Sequence, residues 1–389
     1  MITGKTIVVA SASLLLSTIT IAQEAESAKP VAVPVRVGIV PGLSTQGAAD
    51  KYTTSHFSFN LWGGITGSVN GAELGGLFNI DKGNVQYVQV AGLFNMVNGT
   101  VRGVQMAGWF NKTDGQVTGA QAGGFGNITN KHTRGAQAAG WYNHAGEGIA
   151  GAQAAGIGNF SGSNTKGVQS AGIANISGGN MQGVQLAGIA NISNGNLQGV
   201  QIAGIVNIAR RVKGLQIGLI NIADTSQGFS FGLINIVRKG YYKLELSANE
   251  VMHVNLAVKT GNPKLYNILL AGVNPGSDNK VFSFGWGVGR HIPVGKILSL
   301  NPELTAQYLY LGDWDSDNYL TKLQLLVNLR IAKGFALSAG PSFAVYYSNQ
   351  DEPVKGYKFR IPEGGYHQFE LWNNNLTGWI GWQAGITLF

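Results

Sequence analysis

The chain contains 389 residues, of which 12% are charged, and it carries a formal net charge of +8 at pH 7. About a quarter of the residues in a soluble globular domain are charged, so this composition is unusual for one. The 58 glycines follow no Gly-X-Y period, which excludes collagen, and the 44% hydrophobic content excludes a disordered linker.

Residues 1–22 have the pattern of a secretory signal peptide. Residues 1–5 are positively charged, and the apolar run that follows ends in small residues at Ala22. A retained membrane anchor is the weaker alternative, because several Ser and Thr residues interrupt the run. We therefore predict an exported protein, which without cysteine gains no stability from disulfides.

Residues 23–70 precede the repeats and contain strand-like alternation. Val35, Val37 and Ile39 alternate with other residues, and the pattern returns in residues 57–65. A sheet in lipid must close, because an open edge leaves backbone groups unpaired. We therefore predict that this segment contributes the first strands of a barrel that the C-terminal strands complete.

Residues 71–237 are an array of 16-residue repeats, clearest in GVQLAGIANISNGNLQ (residues 183–198). A Gln and an Asn recur in step through the copies, Glu73 stands in the Gln frame of the first copy, and the last two copies are shorter. Such regularity indicates one structural unit used many times. The recurring residues are Gln89, Gln105, Gln121, Gln137, Gln153, Gln169, Gln185, Gln201 and Gln216, with Asn79, Asn95, Asn111, Asn127, Asn143, Asn159, Asn175, Asn191, Asn207, Asn221 and Asn235.

Each repeat unit is predicted to be a strand of about ten residues followed by a turn. Glycine-rich, β-branched units form poor helices, and pairs such as Asn194-Gly195 suit tight turns. Along one strand, alternation places Gln201, Ile205 and Asn207 on the same face.

Two arrangements of these strands are possible. The unit is nearly symmetric about Gly204, so antiparallel pairing with the preceding unit would place Gln201 opposite Asn191, where the two amides can hydrogen-bond. A parallel β-solenoid would instead stack Gln201 on Gln185. We favour the antiparallel array, although the Ala and Gly of the middle copies make a thin lipid-facing surface.

Residues 238–389 are predicted to be C-terminal barrel strands. Leu323, Leu325 and Val327 alternate with polar residues, and similar strands of ten to fourteen residues suit a tilted crossing of a bilayer. Aromatic residues near strand ends are expected to form interfacial girdles; they are Tyr308, Tyr310, Trp314, Tyr346, Tyr347, Trp372 and Trp379. A secreted β-sandwich with an aromatic core is the alternative that the export signal and the alternation make weaker.

Two resemblances follow from these patterns. The ending GWQAGITLF, residues 381–389, resembles the C-terminal strand of Gram-negative outer-membrane barrels, which implies that the barrel-assembly machinery recognises Phe389. Thr387 departs from the family's apolar alternation. The array resembles bacterial surface-repeat proteins built on Gly-Val-Gln-x-Ala-Gly-x-x-Asn units. Together the resemblances cover most of residues 34–389 and imply no activity.

The sequence suggests no catalytic chemistry. Six histidines are scattered without ligand spacing. Asp313, Asp315 and Asp317 could bind Ca²⁺, but the Gly and Glu of a helix-loop-helix site are missing, so a solvated loop is favoured. We therefore predict no enzyme, no metal, no cofactor and no catalytic residue, and the binding residues are unknown.

The prediction as a whole is an all-β outer-membrane barrel that incorporates the repeat array and is a structural or surface protein, with a passive pore as a further possibility. Outer-membrane lipid and the assembly machinery are the expected partners, and nucleic acid is not. The alternative is a surface-displayed binding or adhesion module, in which a parallel solenoid joins a smaller C-terminal barrel and presents Trp109 and Trp141.

Overall fold

The computed structural model describes residues 31–276, 279–370 and 375–389, so the predicted signal peptide lies outside the described residues. Apart from one 3-10 helix, Gly47–Tyr52, the regular elements of this part of the chain are strands. They form one sheet of 25 strands and one of 10 strands, which confirms the all-β class. Among the described residues, no helix is long and apolar enough to cross a bilayer.

The larger sheet is a parallel β-solenoid of about 12 coils. Each coil has a strand at the position of the repeat Gln, the Gln strand, and a strand with the repeat Asn, the Asn strand; the Gln strand is the longer one except in the last two coils. The Gln strands and their N-terminal equivalents are Val31–Val40, Thr53–Asn60, Ser68–Gly75, Val85–Ala91, Val101–Ala107, Val117–Gly123, His132–Ala139, Gly148–Ala155, Thr165–Ala171, Met181–Ala187, Leu215–Ile217 and Phe229–Phe231. The Asn strands and their first equivalent are Gly63–Thr66, Phe78–Asp81, Phe94–Val97, Phe110–Thr113, Gly126–Thr129, Tyr142–Ala145, Gly158–Ser161, Ala174–Ser177, Val206–Val212, Ile220–Ser226 and Ile234–Val237. Ala190–Ala203 combines an Asn strand with the next Gln strand, and Leu43–Ser44 pairs antiparallel with Val31–Val40.

Neighbouring coils pair in parallel and in register. Gln201 lies opposite Gln185, and Asn207 lies opposite Asn191. The favoured antiparallel pairing of Gln201 with Asn191 is therefore wrong, and the parallel stacking of the alternative is what the chain adopts. The antiparallel barrel of the favoured prediction is also present, but it does not include the repeats.

A sharp corner divides what the sequence presents as one strand. Directly after the Gln strand Met181–Ala187, the chain turns at Gly188-Ile189 before the Asn strand of the same coil begins. A Cβ at Gly188 would overlap the carbonyl oxygen of Gly172 in the preceding coil, so the corner requires glycine. The corner turns Ile205 outward, where it is 45% exposed, and the prediction that Ile205 shares a face with Gln201 is wrong.

The N-terminal strands also belong to the solenoid. Val31–Val40 pairs in parallel with Thr53–Asn60, which in turn pairs with the first repeat coil. The prediction of barrel strands within residues 23–70 is therefore wrong. Both architectures need alternating strands of this length, so alternation alone did not distinguish them.

The smaller sheet closes into an antiparallel barrel of eight strands. The strands are β1 (Tyr241–Asn249), β2 (Val254–Asn262), β3 (Leu265–Asn274), β4 (Val281–Gly289), β5 (Leu298–Tyr310), β6 (Asn318–Ala332), β7 (Phe335–Ser348) and β8 (Leu376–Leu388). Pairing of β1 with β8 closes the ring. Two short strands, Ile292–Pro293 and Gln368–Glu370, pair with β5 and β8.

Side chains of the barrel divide strictly by strand parity. On β6, Leu323, Leu325 and Val327 are 43–56% exposed on the outer wall, as predicted, whereas Lys322 and Gln324 between them are buried in the lumen. On the other ring strands the outward positions are mostly apolar and exposed, whereas the lumen holds most of the polar and charged side chains together with apolar residues such as Leu309 and Trp379. This distribution is typical of transmembrane barrels.

The predicted aromatic girdle is wrong for two of its residues. Tyr308 lies at the end of β5, with its ring 5.7 Å from that of the exposed Trp314. Tyr346 and Trp379, however, are buried inside the barrel. Side chains alternate along β7, so Tyr346 must face the lumen if Tyr347 faces outward. Trp372 lies outside the described residues.

Candidate functional site

The nine predicted glutamines lie in one buried row, the Gln ladder. From Gln105 onward, each Nε2 donates to the Oε1 of the glutamine one coil earlier, as Gln201 does to Gln185 at 2.7 Å. The row is unbroken from Gln216 to Gln89, with N–O distances of 2.7–2.8 Å. Because water is excluded from this row, each amide depends on both neighbours to satisfy its polar atoms.

The eleven predicted asparagines form a second row, the Asn ladder, with the opposite polarity. Asn191 Nδ2 donates to Asn207 Oδ1, one coil later, at 3.1 Å. The same amide donates to the backbone carbonyl of Ile202 at 2.8 Å. This second bond satisfies a carbonyl beside the corner, where regular strand pairing is interrupted.

A charged group of complementary sign caps the N-terminal end of each ladder. The Gln ladder ends with its donor, and Gln89 Nε2 reaches Glu73 Oε2 at 2.8 Å. The Asn ladder ends with its acceptor: Asn60 Nδ2 donates to Asn79 Oδ1 at 3.0 Å, and Asn60 Oδ1 accepts from the guanidinium of Arg36. Amides in a row polarise one another, so the anion at the donor end of the Gln ladder and the cation at the acceptor end of the Asn ladder each stabilise their own row.

Arg36 is buried at this end of the solenoid and is held by Asp50. Its Nε and Nη2 lie 2.8 Å and 2.7 Å from the two carboxylate oxygens, a bidentate pair. Burial by itself would raise the pKa of Asp50, but the hydrogen bonds from Arg36 and Ser44 lower it overall. Arg36 was not among the residues predicted from the sequence. The available signal was its position between the outward-facing Val35 and Val37, which directs its side chain inward.

Glu73 and Asp81 are a buried carboxyl pair at the donor end of the Gln ladder. Burial raises the pKa of both groups, and the charge of Glu73 raises the pKa of Asp81 further. The pKa of Asp81 is raised well above its usual range, because burial and the neighbouring Glu73 both disfavour its charged form. Thr66 Oγ1 donates to Asp81 at 2.5 Å, and Gln89 donates to both carboxyl groups.

The C-terminal end of the solenoid is covered by the outer wall of the barrel. Asn235, the last member of the Asn ladder, donates from Nδ2 to Asn267 Oδ1 at 2.6 Å. Asn267 lies on β3, with the parity of the outward-facing residues. Asn262 Nδ2 at the end of β2 donates to the carbonyl of Gly228 at 2.9 Å, and Lys264 Nζ donates to that of Gln227 at 3.0 Å. The polar interior of the last coil is thus closed by polar groups of the barrel.

Ion pairs fill the lumen of the barrel. Lys259 on β2 lies 2.8 Å from Glu245 on β1 and 2.5 Å from Glu303 on β5, and all three side chains are almost completely buried. Gln383 Nε2 donates to Glu245 Oε1 at 2.8 Å, and the hydroxyl of Tyr266 donates to Glu303 Oε1 at 2.7 Å. The cluster therefore links strands on different sides of the barrel.

A second part of the lumen, towards the longer loops, is also packed. Lys322 Nζ lies 2.9 Å from Glu250 Oε1, which also accepts from Trp379 Nε1 at 3.0 Å. A buried apolar cluster around Trp379 includes Leu309 from β5 and Ile361 from the loop between β7 and β8. Side chains and this loop therefore obstruct the passage through the barrel.

The residues considered for metal binding do not come together. Within the described ranges, no group of three or more His, Asp and Glu side chains is placed to hold a metal ion. In the acidic loop, Asp313 accepts from the backbone of Asp315 at 3.0 Å and from the hydroxyl of Ser316 at 2.8 Å. Its carboxylate therefore organises the loop itself.

The C-terminal strand places Thr387 in the lumen. Thr387 Oγ1 donates to Glu245 at 3.3 Å, and Leu388 has the outward parity. Phe389 follows β8, is 70% exposed, and donates its backbone N–H to the carbonyl of Gly334 at 2.8 Å. The hydrogen bond in the lumen thus explains why residue 387 is polar.

A comparison of the chain with protein-family models, curated proteins and solved structures finds no match.

Proposed function

We propose that this protein is a structural component of a Gram-negative outer membrane, in which the barrel anchors a rigid solenoid. The observation that carries the proposal is the division of the barrel into an apolar outer wall and a polar, ion-paired lumen. Its ring strands contain 9–15 residues, and a transmembrane β-strand needs about 9–11. An apolar outer wall of this kind is suited to contact with the acyl chains of lipids.

The two ends of the chain support the same location. The predicted signal peptide would export the protein, and the resemblance of residues 381–389 to a terminal barrel strand implies assembly by the barrel-assembly machinery. Lipid of the outer membrane and this machinery are the partners in the proposal.

In this proposal the barrel is an anchor that does not conduct. An eight-stranded barrel is just wide enough for side chains to fill its interior. Here the buried cluster of Lys259, Glu245 and Glu303 and the packing around Trp379 occupy it. These side chains occupy the space that the wide, water-filled channel of a porin would need.

The proposal predicts a membrane protein with heat-modifiable gel mobility and no channel activity. After fractionation, the protein should remain with the outer membrane, and the unheated band should migrate differently from the boiled band. Purified protein in planar bilayers should give no current steps above a protein-free control. A freely water-soluble monomer without detergent would refute the anchor, and reproducible single-channel steps would refute the closed lumen.

A further inference from the structure

The outer surface of the solenoid separates apolar and charged residues onto opposite edges of each coil. One edge is the corner, as at Gly188-Ile189, and the other is the turn that links each Asn strand to the next Gln strand. The repeat stretch from its first Gly to its Asn, residues 183–191 in this coil, contains no Lys, Arg or Asp in any copy between residues 71 and 235. The single Glu in these stretches is the buried Glu73.

The corner edge carries a continuous apolar row, the corner row. It consists of the residue after the corner glycine in every coil from Leu77 to Leu233, and each member is Leu, Ile, Phe or Trp. Trp109 is 62% exposed, Trp141 54% and Ile189 43%. A row of this length on a water-facing surface would be an unusually extended apolar patch.

The turn edge is basic. Between residues 82 and 239, the turns and the strand residues that flank them carry eleven Lys and Arg residues against three acidic residues, Asp114, Glu147 and Asp224. Asp114 and Asp224 each pair with a neighbouring basic residue at 3.5 Å and 3.3 Å. The edge therefore matches an anionic surface, and the corner row matches a hydrocarbon phase.

The corner row runs directly into the outer wall of the barrel. Its last member, Leu233, lines one cleft with Leu256, Val258 and Leu269, which face outward on β2 and β3. The lipid-facing belt of the barrel and the corner row of the solenoid are thus one continuous apolar surface.

The geometry points to a solenoid that lies in one leaflet of an anionic phospholipid bilayer, with the corner row among acyl chains and the turn edge among headgroups. This inference rests on the proposed barrel anchor. A Gln strand of seven residues spans about 20 Å from edge to edge, comparable with the roughly 15 Å of hydrocarbon in one leaflet. Pairing between coils satisfies the strand backbone, as a lipid environment demands.

The position of the junction selects the leaflet. The solenoid docks beside the two-residue turn between Asn262 and Leu265, and short turns of outer-membrane barrels lie on the periplasmic side. The phospholipid leaflet of an outer membrane faces that side. The basic turn edge would then meet phospholipid phosphates, which makes phospholipid the occupant of this surface.

The test uses single cysteines, since the chain has none. A nitroxide is attached at Ile189→Cys in the corner row, at Gln182→Cys on the turn edge of the same coil, or at Leu325→Cys on the outer wall of the barrel. Each full-length variant that retains heat-modifiable mobility is reconstituted in phosphatidylcholine–phosphatidylglycerol vesicles. Collision of the label with oxygen, which partitions into lipid, is compared with collision with a water-soluble nickel chelate.

We expect the Ile189 and Leu325 labels to collide with oxygen and to be shielded from nickel, and the Gln182 label to collide with nickel. An Ile189 label open to nickel while the Leu325 label is shielded overturns the inference and leaves the anchor intact. Nickel access at both sites refutes the proposed anchor. Spin–spin broadening at Ile189 that disappears on dilution with unlabelled protein would show that a second copy covers the corner row, which also overturns the inference. Equal immersion in vesicles without phosphatidylglycerol would overturn the role of the basic edge.

Discussion

Gln153→Glu is expected to destabilise the middle coils by about 3 kcal/mol or more, because it places an unpaired carboxylate inside the solenoid. Gln153 Nε2 donates to Gln137 Oε1 at 2.8 Å, and Gln153 Oε1 accepts from Gln169 at 2.7 Å. A carboxylate keeps the second bond but turns the first into a contact between two oxygens. Hydrogen exchange of full-length protein, resolved by peptide, should show faster exchange across these three coils.

Ala150→Glu is the matched control for this prediction. Ala150 lies on the same Gln strand, faces outward, and is paired in register with Arg134 and Lys166 in the adjacent coils. A new carboxylate there meets two basic neighbours, so the change should stay within about 0.5 kcal/mol. Equal acceleration of exchange in both variants would show that the glutamine row is not a buried ladder.

Lys259→Met is expected to destabilise the barrel by about 3–5 kcal/mol, because removal of one partner leaves buried charge uncompensated. Glu245 and Glu303 lie on either side of Lys259 and have almost no contact with solvent. The folded gel band of the unheated protein should disappear at a lower urea concentration than in the parent chain. A variant as resistant as the parent would contradict the packed, ion-paired lumen.

The combined variant Lys259→Met, Glu245→Gln, Glu303→Gln separates charge from size. It removes all three charges while it keeps side chains of similar volume in the lumen, so most of the lost stability should return. If the combined variant is as weak as Lys259→Met alone, the loss comes from packing around residue 259 and not from the unpaired carboxylates.

Much of the fold follows from periodicity. The 16-residue spacing indicates one stacked unit, and alternation on β6 correctly divides Leu323 and Leu325 from Lys322 and Gln324. Periodicity does not, however, determine whether neighbouring strands pair in parallel or antiparallel. The near-symmetry about Gly204 suggests two antiparallel strands, but it arises because the corner folds each unit so that its Gln strand and Asn strand share one interior.

The residues that complete the ladders and the lumen are harder to predict. Asp50 lies in the 3-10 helix Gly47–Tyr52, 14 residues after Arg36, so no local pattern joins the two residues. Parity places Lys259 and Glu303 inside the barrel, but which inward side chains meet depends on the tilt and closure of the ring. The junction at Asn267 depends on how the solenoid and the barrel dock. Neither the 16-residue repeat nor the two-residue alternation of the barrel strands contains that information.

Disulfide formation between adjacent coils tests the central claim most directly. Val184 and Val200 lie opposite each other in parallel register, at the strand spacing of about 4.8 Å that a disulfide can bridge. In the otherwise cysteine-free chain, Val184→Cys with Val200→Cys should oxidise to an intramolecular disulfide, and Ile192→Cys with Val200→Cys should not. Ready linkage of the second pair, with none of the first, would mean that the repeats pair antiparallel and that the solenoid does not exist.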